Sequence, residues 1–120
     1  MAATQSSTYS NDADQFGAGK CIDGNTGSDL GPDGRYAICH TNHDTAPWLA
    51  IDYGTSVTVQ RVEIFNRGTN GQRTRNIEVR ISNKLPASGI RMFSDGALLG
   101  FFGGPATNGQ HITISGPKQL

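Results

Sequence analysis

Three side chains in this sequence could perform recognition chemistry together: His40, Arg67 and Arg73. His40 precedes the apolar run Pro47-Trp48-Leu49-Ala50-Ile51-Asp52, Arg67 follows Val62-Glu63-Ile64-Phe65-Asn66, and Arg73 precedes Ile77-Glu78-Val79-Arg80-Ile81. Each run reads as a strand, so each polar residue stands at a strand end, where loops at one end of a sandwich would gather them. A guanidinium is a planar fork of N–H donors with no acceptor, and an imidazole adds another ring N–H. Such a donor-rich set suits a ligand carrying several hydroxyl oxygens.

Other chemistries fit less well. Glycoside hydrolysis needs two carboxylates facing one cleft, one held protonated. Asp23, Asp33 and Asp44 stand in loop-like stretches with no sign of such pairing, and no Ser-His-Asp set has recognisable context. The chain is therefore expected to bind and not to catalyse. Cys21, Cys39, His40 and His43 could suggest zinc, but no Cys-x-x-Cys pair occurs and one Cys abuts one His, a poor match to paired-ligand spacing.

The elements that must position these residues are strands. Ile77, Val79 and Ile81 alternate strictly with Glu78, Arg80 and Ser82, the pattern of a half-buried strand. Val57 and Val59 share one parity while Val62 and Ile64 share the other, so a bulge is expected at Gln60-Arg61. Trp48 to Tyr53 is apolar except for Asp52 and reads as a buried strand. Leu98 to Phe102 and His111 to Ser115 read as two more strands, Leu85 to Gly89 as a turn, and Ala2 to Phe16 as a loop after a very short strand. Helical periodicity is absent. Many short strands with Gly-rich turns predict an all-β sandwich.

The chain has 120 residues, enough for one domain with one core. Its formal net charge is zero, which argues against nucleic acid, where clustered Lys and Arg would be expected. No apolar run is long enough to span a membrane, and Met1-Ala2-Ala3 is not followed by the apolar segment of a signal peptide. The two cysteines would be free thiols in a cytosolic protein and a bridge in a secreted one.

The words Gln5-Ser6-Ser7-Thr8-Tyr9, Ile22-Asp23-Gly24-Asn25, Cys39-His40-Thr41, Pro47-Trp48 and Asn66-Arg67, with 27 positions from His40 to Arg67, resemble the F-type lectins, or fucolectins. The resemblance covers nearly the whole chain. It implies a discoidin-like β-sandwich (jelly roll) over residues 1–120 and an extracellular setting. The expected ligand is L-fucose or a fucosylated glycan, bound by His40, Arg67 and Arg73. Tyr9 and Phe16, the only large apolar side chains between Ala2 and Phe16, either anchor that loop to the core or line the sugar pocket. The resemblance implies a structural calcium ion held by the Asp23 side chain and the main-chain carbonyls of Lys20 and Asn25. Without the resemblance, that Gly- and Asn-rich loop reads equally well as an ordinary Asx turn. A Cys21–Cys39 disulfide is implied as well.

The sequence departs from the family pattern in several places. Thr69 stands where the family has Asp, and Asn70-Gly71 where many members carry a vicinal cysteine pair; the loop is one residue shorter, so Arg73 matches the family's second basic residue only with a gap and Arg75 is the alternative. Ala37 aligns with a serine calcium ligand, and a C-terminal glutamate ligand has no counterpart. The family fold would also carry one strand before Met1 and two after Leu120, so a C-terminally truncated domain is expected. Its open sheet edges would call for a homo-oligomer or a covering partner. A discoidin-like adhesion module without sugar binding is the alternative that Thr69 and Asn70-Gly71 support.

Overall fold

The computed structural model describes residues 1–27, 37–83 and 96–118. The expected turn at Leu85 to Gly89, and Asp33, lie outside the described residues. The chain forms two units: Met1–Gly54 with Arg67–Thr69, and Thr55–Asn66 with Asn70–Leu120.

In the first unit, β1 (Ala2–Gln5) pairs antiparallel with β2 (Leu49–Asp52), with Ala3 opposite Ile51 and Gln5 opposite Leu49. Asp52 ends β2 by accepting from the Gly54 N–H at 2.8 Å. Between the two strands the chain makes 3₁₀ turns at Tyr9–Asn11 and Ala18–Cys21 and a one-turn helix α1 (Ala13–Phe16). The loop expected after β1 is thus partly helical. One turn is too short to show a 3.6-residue period, and its local signal is the cap: the Asp12 carboxylate accepts from the Gln15 N–H at 3.2 Å. The reading of 48–53 as a buried strand also needs correction. Leu49, Ile51 and Tyr53 are 41%, 40% and 49% exposed, because an apolar run in a two-stranded ribbon has one side turned to solvent.

In the second unit, β3 (Val59–Phe65) pairs antiparallel with β6 (His111–Lys118), and β4 (Ile77–Ile81) with β5 (Ala97–Phe102). The β3–β6 register shifts between Val59 and Arg61, where the valine parity flips. Beyond that bulge Val62 and Ile64 point inward while Arg61, Glu63 and Phe65 point outward. A second shift in β5 leaves Leu99 between the paired residues Leu98 and Gly100 and turns its side chain into the core. Leu99, Ala106, Ile112 and Ile114 form that core, packed by Val59, Val62, Ile64, Ile77, Val79, Ile81 and Phe102. At Gly100 a Cβ would lie 2.5 Å from Ile114 Cγ2, so the two sheets meet there closely enough to require glycine. The half-buried alternation expected for β4 is observed.

Candidate functional site

His40 sits in a seat built from the N-terminal segment. Its backbone N–H donates to the Phe16 carbonyl at 3.0 Å, and its own carbonyl accepts from the Tyr9 N–H at 2.9 Å. The Gln5 amide reaches into the same place, donating to the Phe16 carbonyl at 2.9 Å, to Thr8 Oγ1 at 3.1 Å and more weakly to the His40 carbonyl at 3.4 Å. The side chains follow the backbone. The rings of Tyr9 and His40 lie 4.5 Å apart, those of Tyr9 and Phe16 5.1 Å, and those of Phe16 and His40 5.7 Å. The structure therefore brings Tyr9 and Phe16 together with His40. Tyr9 is 37% exposed, so the aromatic cluster can be reached from solvent. His40 Nδ1 lies 2.5 Å from the Thr41 carbonyl; a carbonyl only accepts, so Nδ1 carries the proton and Nε2 is left for other partners.

A clasp of hydroxyls stands beside this seat. Ser6 and Ser7 each donate to Asp44 Oδ2 at 2.6 Å, while Ser6 Oγ accepts from the Trp48 N–H at 3.2 Å and Ser7 Oγ from the Asn42 N–H at 2.8 Å. The two serine hydroxyls hold the Asp44 carboxyl below the usual aspartate range. Asp44 is committed to this bracing role.

Arg67 belongs to the same unit as His40, Tyr9 and Phe16. Its Nε is buried and has no hydrogen-bond partner among the described residues. A buried N–H without an acceptor is costly, so the place is suited to an oxygen supplied from outside. Arg73 and Arg75 belong to the other unit, and both are exposed. Arg73 closes a 3₁₀ turn, Gly71–Arg73, anchored by buried Asn66. Asn66 donates to the carbonyls of Gly71 at 3.0 Å and Thr107 at 2.8 Å, and accepts from the Thr74 hydroxyl at 2.7 Å.

Cys21 and Cys39 are joined in a disulfide with Cα atoms 5.3 Å apart. Both thiols are consumed, which removes the thiolates that the zinc reading needed. The loop they flank consists of linked Asx turns: Asp23 Oδ1 accepts from the Asn25 N–H at 2.9 Å and Asn25 Oδ1 from the Gly27 N–H at 2.9 Å. Among the described residues no group of three His, Cys, Asp or Glu could hold a metal. The donors on offer for calcium are the Asp23 carboxylate and main-chain oxygens such as those of Lys20 and Asn25. All are hard oxygens, the type Ca²⁺ accepts and Zn²⁺ does not favour. Ala37, at the position of the family's serine ligand, is buried and adds no side-chain oxygen.

The family model described as NedA-like, galactose-binding domain matches residues 20–96, well over half of the chain. The chain belongs to this galactose-binding domain family. No curated protein sequence matches it. Among solved structures it is similar to an F-lectin (fucolectin) from striped bass (Morone saxatilis) serum, with 28% identity and a TM-score of 0.78 over 99% of this chain. The fold is accordingly discoidin-like, as the sequence resemblance implied. The chain spans 38% of the length of that fucolectin chain. Among the described residues of this galactose-binding domain, no helix is long and apolar enough to cross a membrane.

Sequence reasoning gave no role to Gln5, Ser6, Ser7, Asp44 or Asn66. The signal was present in part, since Gln5-Ser6-Ser7-Thr8-Tyr9 and Asn66-Arg67 are among the words that carry the resemblance. Their work is second-order: they hold the backbone on which His40 and the 71–74 segment are displayed.

Proposed function

We propose that this galactose-binding domain recognises L-fucose or a fucosylated glycan outside the cell, by binding and without catalysis. The observation that carries the reading is the buried Nε of Arg67, which lacks an acceptor among the described residues. A sugar hydroxyl supplies that acceptor without bringing a charge that would need neutralising. His40, through the lone pair of Nε2, offers an acceptor for a hydroxyl proton, and the Tyr9–Phe16–His40 rings offer an apolar surface for the sugar's methyl group. Arg73, or Arg75 in its place, is the further basic residue that the sequence resemblance assigns to binding. The fucolectin likeness supports the class of ligand.

Calcium is part of the proposal. Asp23, with the Lys20 and Asn25 carbonyls, would hold the ion and stiffen the loop that the disulfide closes, stabilising the native state by mass action. Self-association or a covering partner is proposed for the exposed Leu49 and Ile51 of β2 and the adjoining Tyr53. A glycan array run with millimolar calcium and again with excess EDTA tests the function. Retention on fucosylated glycans, weakened by chelator, is the expected result. A folded protein that retains no glycan in either arm overturns it in favour of an adhesion module without sugar binding.

A further inference from the structure

The outer face of the β3–β6 pair carries a second constellation, separate from the His40 seat. Arg61, Glu63 and Phe65 project outward from β3, and register pairs them with Ser115, Thr113 and His111 of β6. The Phe65 and His111 rings are stacked, 4.4 Å apart with a 14° interplanar angle. His111 Nε2 lies 3.1 Å from Glu63 Oε1, and Glu63 Oε2 lies 3.7 Å from Arg61 Nε. At the bulge end of the strip, Gln60, Arg61, Ser115 and Gly116 line an open depression of about 410 Å³.

These features have a common chemical sense. Phe65 is 41% exposed on a strand whose other face fills the core. His111 stacks on one face of its ring, and His111 in turn meets the Glu63 carboxylate. The part of this aromatic pair left open to solvent is a surface of the kind that packs against the C–H face of a pyranose ring. The held carboxylate of Glu63 retains acceptor capacity for hydroxyl protons, while Arg61, Thr113, Ser115 and Gln60 supply donors for hydroxyl oxygens. Glu63 and Arg61 balance in charge, so the strip selects neither anion nor cation. From Arg61 to Phe65 an antiparallel strand runs roughly 14 Å, enough for a short oligosaccharide lying along it.

We infer that this face is a second carbohydrate contact, binding a neutral hexose-containing oligosaccharide with one ring over Phe65 and the next sugar toward Arg61 and the bulge. It goes beyond the His40–Arg67 reading and does not depend on it. Amide NMR titration of the full chain with lactose, and separately with L-fucose, tests it. Lactose is expected to shift the amides of Phe65, His111 and Thr113 in the parent and equally in Arg67→Ala. Phe65→Ala should lower lactose affinity about tenfold, the scale of one lost aromatic contact. Glu63→Gln, which keeps shape and loses the carboxylate, should lower it several-fold, so the assignment does not hang on one truncation. Absence of lactose shifts on β3 and β6 in the parent, or unchanged lactose affinity in both variants, overturns the inference. If L-fucose leaves His40 and Arg67 unmoved while lactose shifts β3 and β6, the function proposed above fails and this contact stands.

Discussion

Asn66 holds the carbonyl of Gly71 at 3.0 Å, and Gly71 answers by donating its own N–H to Asn108 Oδ1 at 2.8 Å. One local and one long-range hydrogen bond thereby tie the segment after β3 to the turn before β6. Asn66 is buried and fully used, with two donated bonds and one accepted from Thr74. Asn66→Ala strands the Thr107 and Gly71 carbonyls and the Thr74 hydroxyl, and should cost about 3 kcal/mol in urea unfolding.

Gly71 is required for a steric reason. A Cβ there would lie 2.7 Å from the backbone of Thr107 and Asn108, which cannot step aside as a flexible side chain would. Gly71→Ala should cost about 2 kcal/mol in the same assay, while exposed Gln72→Ala in the same turn should change stability by less than about 0.5 kcal/mol. Equal stability of Gly71→Ala and Gln72→Ala would show that this close approach is not a constraint.

The readability of the sequence follows from the range of each interaction. The alternation in Ile77–Ile81 and the parity flip at Gln60-Arg61 are written in consecutive residues, so strand faces and bulge could be read directly. The exposed face of β2 could not, because an apolar run does not say which side has a neighbour. The one-turn helix Ala13–Phe16 is below the length at which a period exists. Asn66 joins residues 5 and 41 positions away, and such bonds leave no local pattern. The seat of His40 was legible only as a set of matched words whose hydrogen bonds become visible once Gln5, Tyr9 and Phe16 are placed.

The disulfide between Cys21 and Cys39 closes a loop with a sequence separation of 18. In the chain-entropy account, a loop of that size contributes about 3 kcal/mol by restricting the unfolded chain. Replacing both cysteines by serine should lower urea-unfolding stability by that order and loosen the Asp23 turn. Two free thiols in mass spectrometry of alkylated, non-reduced protein would remove the basis for this expectation.

Asp44 gives stability a pH dependence of defined sign. Its folded carboxyl titrates below the ordinary value of 3.8 because Ser6 and then Ser7 donate to it. Folding therefore favours the ionised form. That contribution is fully present above the unfolded value and is lost as pH falls through the lowered folded value. Thermal melts from pH 6 down to pH 3 should show a smaller decline for Asp44→Asn than for the parent. Parallel curves for the two proteins would remove Asp44 as the source of the acid sensitivity.

The sugar site is decided by four arginine variants measured with L-fucose by titration calorimetry. Fucose is neutral, so an arginine contributes directional hydrogen bonds and not charge pairing. Each such bond to a charged donor contributes about 1.5–3 kcal/mol when water is excluded, a loss of tenfold or more on truncation. Arg67→Ala should lose binding, because its buried Nε is the donor with no acceptor among the described residues. Arg73→Ala should lose it too if Arg73 is the second fork, whereas loss in Arg75→Ala and not in Arg73→Ala assigns that role to Arg75. Arg80→Ala should bind as the parent, since Arg80 is exposed on β4 and engaged with Glu78 and, at 2.9 Å, the Gly96 carbonyl. Affinity should also be insensitive to salt, as expected when no ion pair is formed with the ligand. Parent-like binding by Arg67→Ala would reject the site, and a steep fall of affinity with salt would point to an anionic ligand in place of fucose.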